Sequence, residues 1–262
     1  MNTFWKKSNS GEAHIEVRDV TMAFGDFILM SGLDFTINRG DVFIIMGGSG
    51  SGKSTLLQHL IGLRNPATGD ILYDGKSFIG ANDRDRKTII SKFGVMYQSG
   101  ALWSSLNLAE NVALPLEQFT RFNKRQIRSI VSFKLALVGL SGFEEFYPSE
   151  ISGGMAKRAG VARALALDPE VLYLDEPSAG LDPLSARRMD ELILELSESL
   201  GMTIVVVTHE LDSIFMIANN SVFLDAKTRR QKATGDPREL RDHSEDKDIR
   251  NFLSRGEFLA KK

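Results

Sequence analysis

Residues 47–55 read GGSGSGKST and match the pattern Gly-x-x-x-x-Gly-Lys-Ser/Thr. Gly47, Gly48, Gly50 and Gly52, with Ser49 and Ser51 between them, let the backbone curl into a concavity whose N–H groups point at an anion. Lys53 adds a full positive charge directed at β- and γ-phosphates. The Ser54 hydroxyl is a hard oxygen ligand for Mg2+, and Thr55 closes the loop. The apolar run DVFIIM precedes the loop, and KSTLLQHLIGL, with helical spacing, follows it. In this strand–loop–helix context the helix N-terminus adds roughly half a positive charge at the phosphates. A Gly/Ser loop with a stray lysine is the bland alternative, and the context argues against it.

A second group of candidates sits at the ends of other apolar runs. VLYLDEP, residues 171–177, ends in two acids. In open α/β sheets ligands bind at the carboxyl ends of strands. Asp175 is therefore expected to hold Mg2+ through water, and Glu176 to polarise an attacking water. Gln98 ends FGVMYQ and has the same placement, within reach of Mg2+ or that water. His209 follows TIVVVT and is expected at the γ-phosphate rather than serving as a satisfied polar group. Phe24, in TMAFGD, offers an aromatic face for adenine, with core packing as the alternative.

ISGGM, residues 151–155, opens a helix-like stretch with Ser152, Gly153 and Gly154, a hydroxyl and close backbone donors. This is a second anion site in a chain that already has a complete phosphate loop. Head-to-tail pairing of two copies about a two-fold axis would set the loop of one against the phosphates of the other.

The elements that must position these residues are legible as patterns. HIEVRDVTMAF and FILMSGLDFTINRGDVFIIMGG read as strands broken at Asn38-Arg39-Gly40, GDILYDGKSF as a short hairpin, and FGVMYQ, EVLYLDEP, MTIVVVTHE and NSVFLD as further strands. NDRDRKTIISKF reads as a loop followed by a helix, and LDSIFMIA as a short helix. SARRMDELILELSESLG carries an apolar stripe of Met189, Leu192, Ile193 and Leu196. Between Ser99 and about Ala164 the chain turns helical, an insertion between strands. Buried strands alternating with helices predict an α/β fold with a parallel sheet. In the tail, Ile249, Phe252 and Leu253 could share one helix face; a frayed terminus and a docking segment are equally open.

Bulk properties exclude more than they select. The chain has 262 residues, enough for one large domain, and no cysteine, which removes disulfides and thiolate metal sites. A net charge of −2 gives no reason to expect nucleic acid. The first residues lack the apolar core of a signal peptide, and no apolar run is long enough to span a bilayer, so a soluble chain is expected that meets membranes through a partner.

In order and spacing these motifs make the chain resemble the ATPases of ABC transporters over nearly its whole length. The resemblance makes GGSGSGKST the Walker A motif, Gln98 the Q-loop, ISGGM the signature and VLYLDE the Walker B motif. SAGLD, with Asp182, becomes the D-loop, His209 the switch histidine and Phe24 the A-loop aromatic. It implies a single ATPase domain over 1–262 with a P-loop NTPase (RecA-like) core and an N-terminal antiparallel β subdomain. It further implies a helical subdomain at about 99–164 carrying the signature, and a C-terminal tail over 241–262. ATP with Mg2+ is the implied ligand pair, sandwiched in a dimer, with Lys53, Gln98, Glu176 and His209 catalytic. The family signature usually reads Leu-Ser-Gly-Gly-Gln; Ile151 and Met155 replace its ends here, which puts any contact of that glutamine in doubt.

YQSGALWSSLNLAENVALPL, SGGMAKRAGVARALALDP and the terminal IRNFLSRGE are similar to the ATPases of MCE-type (Mla) bacterial phospholipid transporters, where a methionine commonly ends the signature. That similarity implies integral membrane permease subunits, an MCE-domain protein, in some members a small STAS-domain protein, and a place at the cytoplasmic face of the inner membrane. A groove lined by Leu102 and Trp103 would take a permease helix, unless Trp103 is core. The rival readings are an importer for a polar small solute and a non-transport ATPase of the same superfamily, which would carry paired cassettes or a long coiled coil. A regulatory module without hydrolysis finds no support, since Lys53, Glu176 and His209 are all present.

Overall fold

The computed structural model describes residues 11–98 and 100–255. Ser99 and the tail beyond Arg255, where parts of the sequence-based expectations fall, lie outside the described residues. Strands β1 (Ala13–Phe24) and β2 (Phe27–Asn38) form an antiparallel pair, extended on the β1 side by β4 (Thr68–Tyr73) and β5 (Lys76–Ser77). The second sheet runs β10-β9-β3-β8-β7-β6, built from β3 (Val42–Gly47), β6 (Phe93–Met96), β7 (Val171–Asp175), β8 (Thr203–Val207), β9 (Asn220–Asp225) and β10 (Arg230–Thr234). All its neighbours are parallel except β9 and β10.

The burial of β3 explains the layering. Every residue of VFIIMG is buried, and alternate side chains enter different cores. Val42, Ile44 and Met46 join the cluster beneath the helices, while Phe43 and Ile45 join the cluster shared with the antiparallel sheet. Strand β8 divides in the same way, Ile204 and Val206 to one side, Val205 and Val207 to the other. A strand with period-two side chains and both faces apolar is the central layer of three. Each fully buried Ile or Phe here contributes about 1.5–3 kcal/mol of transfer free energy.

Helix α1 (Lys53–Leu60) follows β3, and α2 (Asp83–Ile90) precedes β6. Between β6 and β7 lie α3 (Leu108–Phe119), α4 (Lys124–Leu137) and α5 (Gly153–Ala164). Asn107 and Asn123 start α3 and α4 with reciprocal capping boxes, so both helix starts are written locally in the sequence. Helix α6 (Pro183–Leu200) buries Met189, Leu192, Ile193 and Leu196, the stripe read from the sequence. After β8 come α7 (Leu211–Ile217) and, past β10, α8 (Pro237–His243) and α9 (Lys247–Leu253).

The polar segment RQKAT had no strand signal, yet it forms β10 because β9 offers it an unpaired edge. The tail helix α9 is docked rather than frayed. Ile249 and Leu253 are each 1% exposed, and the Phe252 ring meets Phe223 edge-on at 5.2 Å. Lys232 on β10 secures α9 by ion pairs to Asp246 at 3.1 Å and Asp248 at 2.8 Å.

Candidate active site

Parallel register brings four strand ends to one edge of the sheet. Ile45 of β3 pairs with Val207 of β8, which pairs with Asp175 of β7, while Leu174 pairs with Met96 of β6. The residues just beyond these ends line one cavity of about 760 Å3: Gly47 through Thr55, Gln98, Glu176 and His209, with Phe24 and Leu29 from the antiparallel sheet and Phe252 from α9. Phe24 is 43% exposed, which removes the core alternative, and the Arg64 guanidinium sits 4.8 Å from its ring centroid.

The loop at 47–52 needs its glycines for two separate reasons. A Cβ at Gly47 would lie 2.3 Å from the carbonyl oxygen of Leu224, so β9 approaches too closely for any side chain. Gly52 caps α1 at φ 82, a left-handed conformation that costs L-residues energy. The Lys53 ammonium donates to the carbonyls of Gly47 at 2.9 Å and Gly48 at 3.0 Å, bridging the loop it belongs to. Burial pushes the Lys53 amine below its ordinary value, and the charges of Glu176 and Asp175 oppose that shift.

Opposite the lysine lie the acids. The Ser54 hydroxyl donates toward Asp175 at 3.5 Å. Burial, then repulsion from Glu176, raises the Asp175 carboxyl above its ordinary value, while Ser54 and Lys53 pull it back. Glu176 accepts a hydrogen bond from Nδ1 of His209 at 2.8 Å through one carboxylate oxygen, and the other is buried with no hydrogen-bond partner among the described residues. Two neighbouring carboxyls, a hydroxyl and the Gln98 amide form a set of hard oxygens with negative charge to offset, which fits Mg2+. The glycine concavity and Lys53 fit the phosphates that would share such an ion.

Ser152, Gly153, Gly154 and Asp182 lie outside that cavity. Ser152 caps α5, its hydroxyl oxygen accepting from the Met155 N–H at 3.2 Å, and Ser152 and Gly153 are exposed. The hydroxyl proton is thus left to donate outward. Ile151 and Met155 pack against the large core cluster, which gives the unusual ends of ISGGM an apolar role. Asp182 caps α6 by accepting from the N–H groups of Leu184 at 3.1 Å and Ser185 at 3.0 Å; the Ser185 side chain first, and then these backbone bonds, lower its carboxyl. Trp103 is 62% exposed and so is not a core residue.

Sequence reading missed a buried polar chain behind the cavity. Ser178, just past Glu176, donates to the hydroxyl oxygen of Ser213 in α7 at 3.2 Å, and Ser213 donates its own proton to Asp190 of α6 at 2.8 Å. Its only sequence signal was an acid beside the apolar stripe of α6. Burial pushes the Asp190 carboxyl from 3.8 up to about 6; the Ser213 bond opposes this, and Asp212 and Glu191 add to it. Its other oxygen is buried without a partner among the described residues. Because the folded-state value lies above the unfolded one, the native state holds a proton that the unfolded chain releases. This contribution to stability is complete below about pH 4 and lost as pH rises through about 6, a swing of roughly 3 kcal/mol. Urea unfolding of wild type and Asp190→Asn at pH 4.5 and 7.5 should show the wild type losing ground to the variant at the higher pH. A difference between the two that does not change with pH would refute this.

Comparison with known proteins agrees with this geometry. The ABC transporter family profile matches residues 30–179. The chain is 40% identical over 214 residues to the Escherichia coli K12 intermembrane phospholipid transport system ATP-binding protein MlaF, covering 81% of this chain and 79% of the relative. It is 41% identical over 240 residues to the Mycobacterium tuberculosis H37Rv probable ribonucleotide transport ATP-binding protein mkl. That match covers 92% of this chain, which spans 66% of the mycobacterial relative's length. Among solved structures, the ATP-binding cassette MJ0796, a dimer in a post-hydrolysis state bound to ADP and Pi, aligns with TM-score 0.75 at 28% identity, over 85% of this chain and 98% of its own. CbiO1 of Clostridium perfringens, part of an ABC transporter complex, aligns with TM-score 0.82 at 28% identity, over 95% of this chain and 99% of its own. No helix among the described residues is long and apolar enough to cross a membrane. With a phosphate loop, an adjoining acid pair and a histidine held at one sheet edge, and with relatives matching across most of its length, this chain belongs to the ABC transporter family.

Proposed function

We propose that the chain drives phospholipid trafficking at a bacterial inner membrane, working at its cytoplasmic face with permease subunits and an MCE-domain protein, in some assemblies with a small STAS-domain protein. The observation that carries the mechanism is a divided site. The cavity holds the loop from Gly47 to Thr55, Gln98, Glu176 and His209, while the Ser152, Gly153 and Gly154 donors lie outside it at the start of α5. Two copies paired head to tail complete two sites, each ATP lying between the loop of one chain and the signature of the other. The dimeric form of the solved cassettes supports this pairing.

Within one site the geometry supports the following roles. The loop N–H groups and Lys53 bind and orient the phosphates. Ser54, Asp175 and Gln98 would hold Mg2+, which would supply positive charge beside the phosphates. Glu176 accepts the proton of the attacking water, His209 fixes that carboxylate through Nδ1, and Phe24 stacks on adenine. The chain from 99 to 164, with Leu102 and the exposed Trp103, is the segment we assign to the permease contact.

The phospholipid assignment rests on likeness to proteins named for intermembrane phospholipid transport. A second reading, import of a polar solute, is favoured by the relatives named for ribonucleotide transport. Affinity purification from native membranes in mild detergent separates them, using tagged Glu176→Gln chain as bait with ATP present. Recovery of a permease, an MCE-domain protein and phospholipid is expected. A different permease with a solute-binding protein would replace the substrate class and leave the ATPase standing.

A further inference from the structure

Glu176 is held from behind by a cation with no place in the phosphate chemistry. Its φ is 51°, a left-handed conformation rare for a residue with a side chain and kept only where surrounding structure enforces it. Its N–H donates to the carbonyl of Val207 in β8 at 2.8 Å. Its own carbonyl accepts from Nζ of Lys157 in α5 at 3.1 Å, and the same ammonium also donates to the carbonyl of Ala179. Lys157 is 8% exposed. Burying an ammonium is costly unless its donors are used, and an apolar residue would fill the space at lower cost. Burial does push the Lys157 amine down, with the Glu176 charge opposing.

The two carbonyls bracket the turn from Glu176 to Ala179, which leads directly to Asp182 at the start of α6. Helix α5 also packs against that start: a Cβ at Gly154 would lie 3.2 Å from the Ser185 Cβ. The N-terminus of α5, the turn after β7 and the start of α6 are therefore one packed unit, and Lys157 is the charged tie within it.

We propose that Lys157 is a positioning residue whose ammonium fixes the left-handed backbone of Glu176 and the turn to Asp182. It thereby ties the orientation of the Glu176 carboxylate to the helix whose N-terminus meets the nucleotide held by a second copy. This rests on the dimeric ATPase reading above. Lys157 acts through the glutamate and is not among the residues lining the cavity, so its loss should slow turnover and spare ATP binding.

The test uses the full chain, with ATP affinity and turnover measured side by side. Lys157→Met should lower kcat by about tenfold or more with the ATP Kd within about threefold of wild type. Lys157→Arg, which keeps charged donors, should recover most of the rate. In the Glu176→Gln background, Lys157→Met should cause little further loss, because the two act as a unit. A kcat for Lys157→Met within twofold of wild type, or an undiminished further fall in the double variant, would overturn the inference. If Lys157→Met does not fold, Lys157→Gln, which keeps a donor without the charge, takes its place with the same outcomes. Lys53→Ala run alongside keeps the two readings apart: turnover lost there and kept in Lys157→Met removes the positioning role alone.

Discussion

Glu176→Gln should retain ATP while turning it over about 10²–10⁴-fold more slowly. The substitution keeps the shape of the side chain and a hydrogen-bonding oxygen for Nδ1 of His209, which meets Glu176 at 2.8 Å in the wild type. What it removes is the ability to take a proton from water. The charge change is local, because the carboxylate is almost enclosed and lies at the end of β7 beside the cavity. The loop, lysine and aromatic ring proposed to hold the nucleotide are left untouched, so binding should persist while chemistry stalls. Steady-state phosphate release and ATP titration on the same preparation give both numbers. Turnover near wild type would remove Glu176 from the role of base.

Lys53→Ala should act on the other half of the cycle. Charge-assisted hydrogen bonds contribute about 1.5–3 kcal/mol each, so losing one such contact to the phosphates should weaken ATP binding roughly 10–100-fold. A second effect comes from the loop itself. The Lys53 ammonium joins the carbonyls of Gly47 and Gly48, and without it the residues that form the concavity are held less firmly. Titration with a fluorescent ATP analogue measures the loss, with Glu176→Gln as the tight-binding reference. Unchanged affinity would defeat the phosphate cradle built on Lys53.

His209 and Phe24 illustrate the limit of reading residues singly. Each lies at the end of an extended run, and each had a plausible bland alternative. The cavity settles their location: both line it, with Phe24 exposed at its rim and His209 bonded to Glu176. By contrast, the Ser152–Gly154 donors read as an anion site in sequence but stand away from their own chain's cavity, which is the arrangement the proposed head-to-tail pairing calls for.

The sequence by itself determined what depends on neighbours in the chain. The phosphate loop is contiguous, so its glycines, lysine and hydroxyls announce the anion chemistry without any fold. The apolar runs of β3, β7 and β8, the stripe of α6 and the asparagine caps of α3 and α4 are equally local, since periodicity and capping act over a few residues. Only the tertiary structure decided which face of β3 meets which core, because both faces are apolar and the pattern is the same either way. It also decided that polar RQKAT pairs with β9, and that α9 packs on the body of the protein through Ile249 and Leu253. The Ser54–Asp175 contact, the chain from Ser178 through Ser213 to Asp190, and the Lys157 tie to Glu176 join segments far apart in sequence. Such contacts leave no periodic trace, because their cost and their gain are set by burial, which exists only once the layers have closed around them.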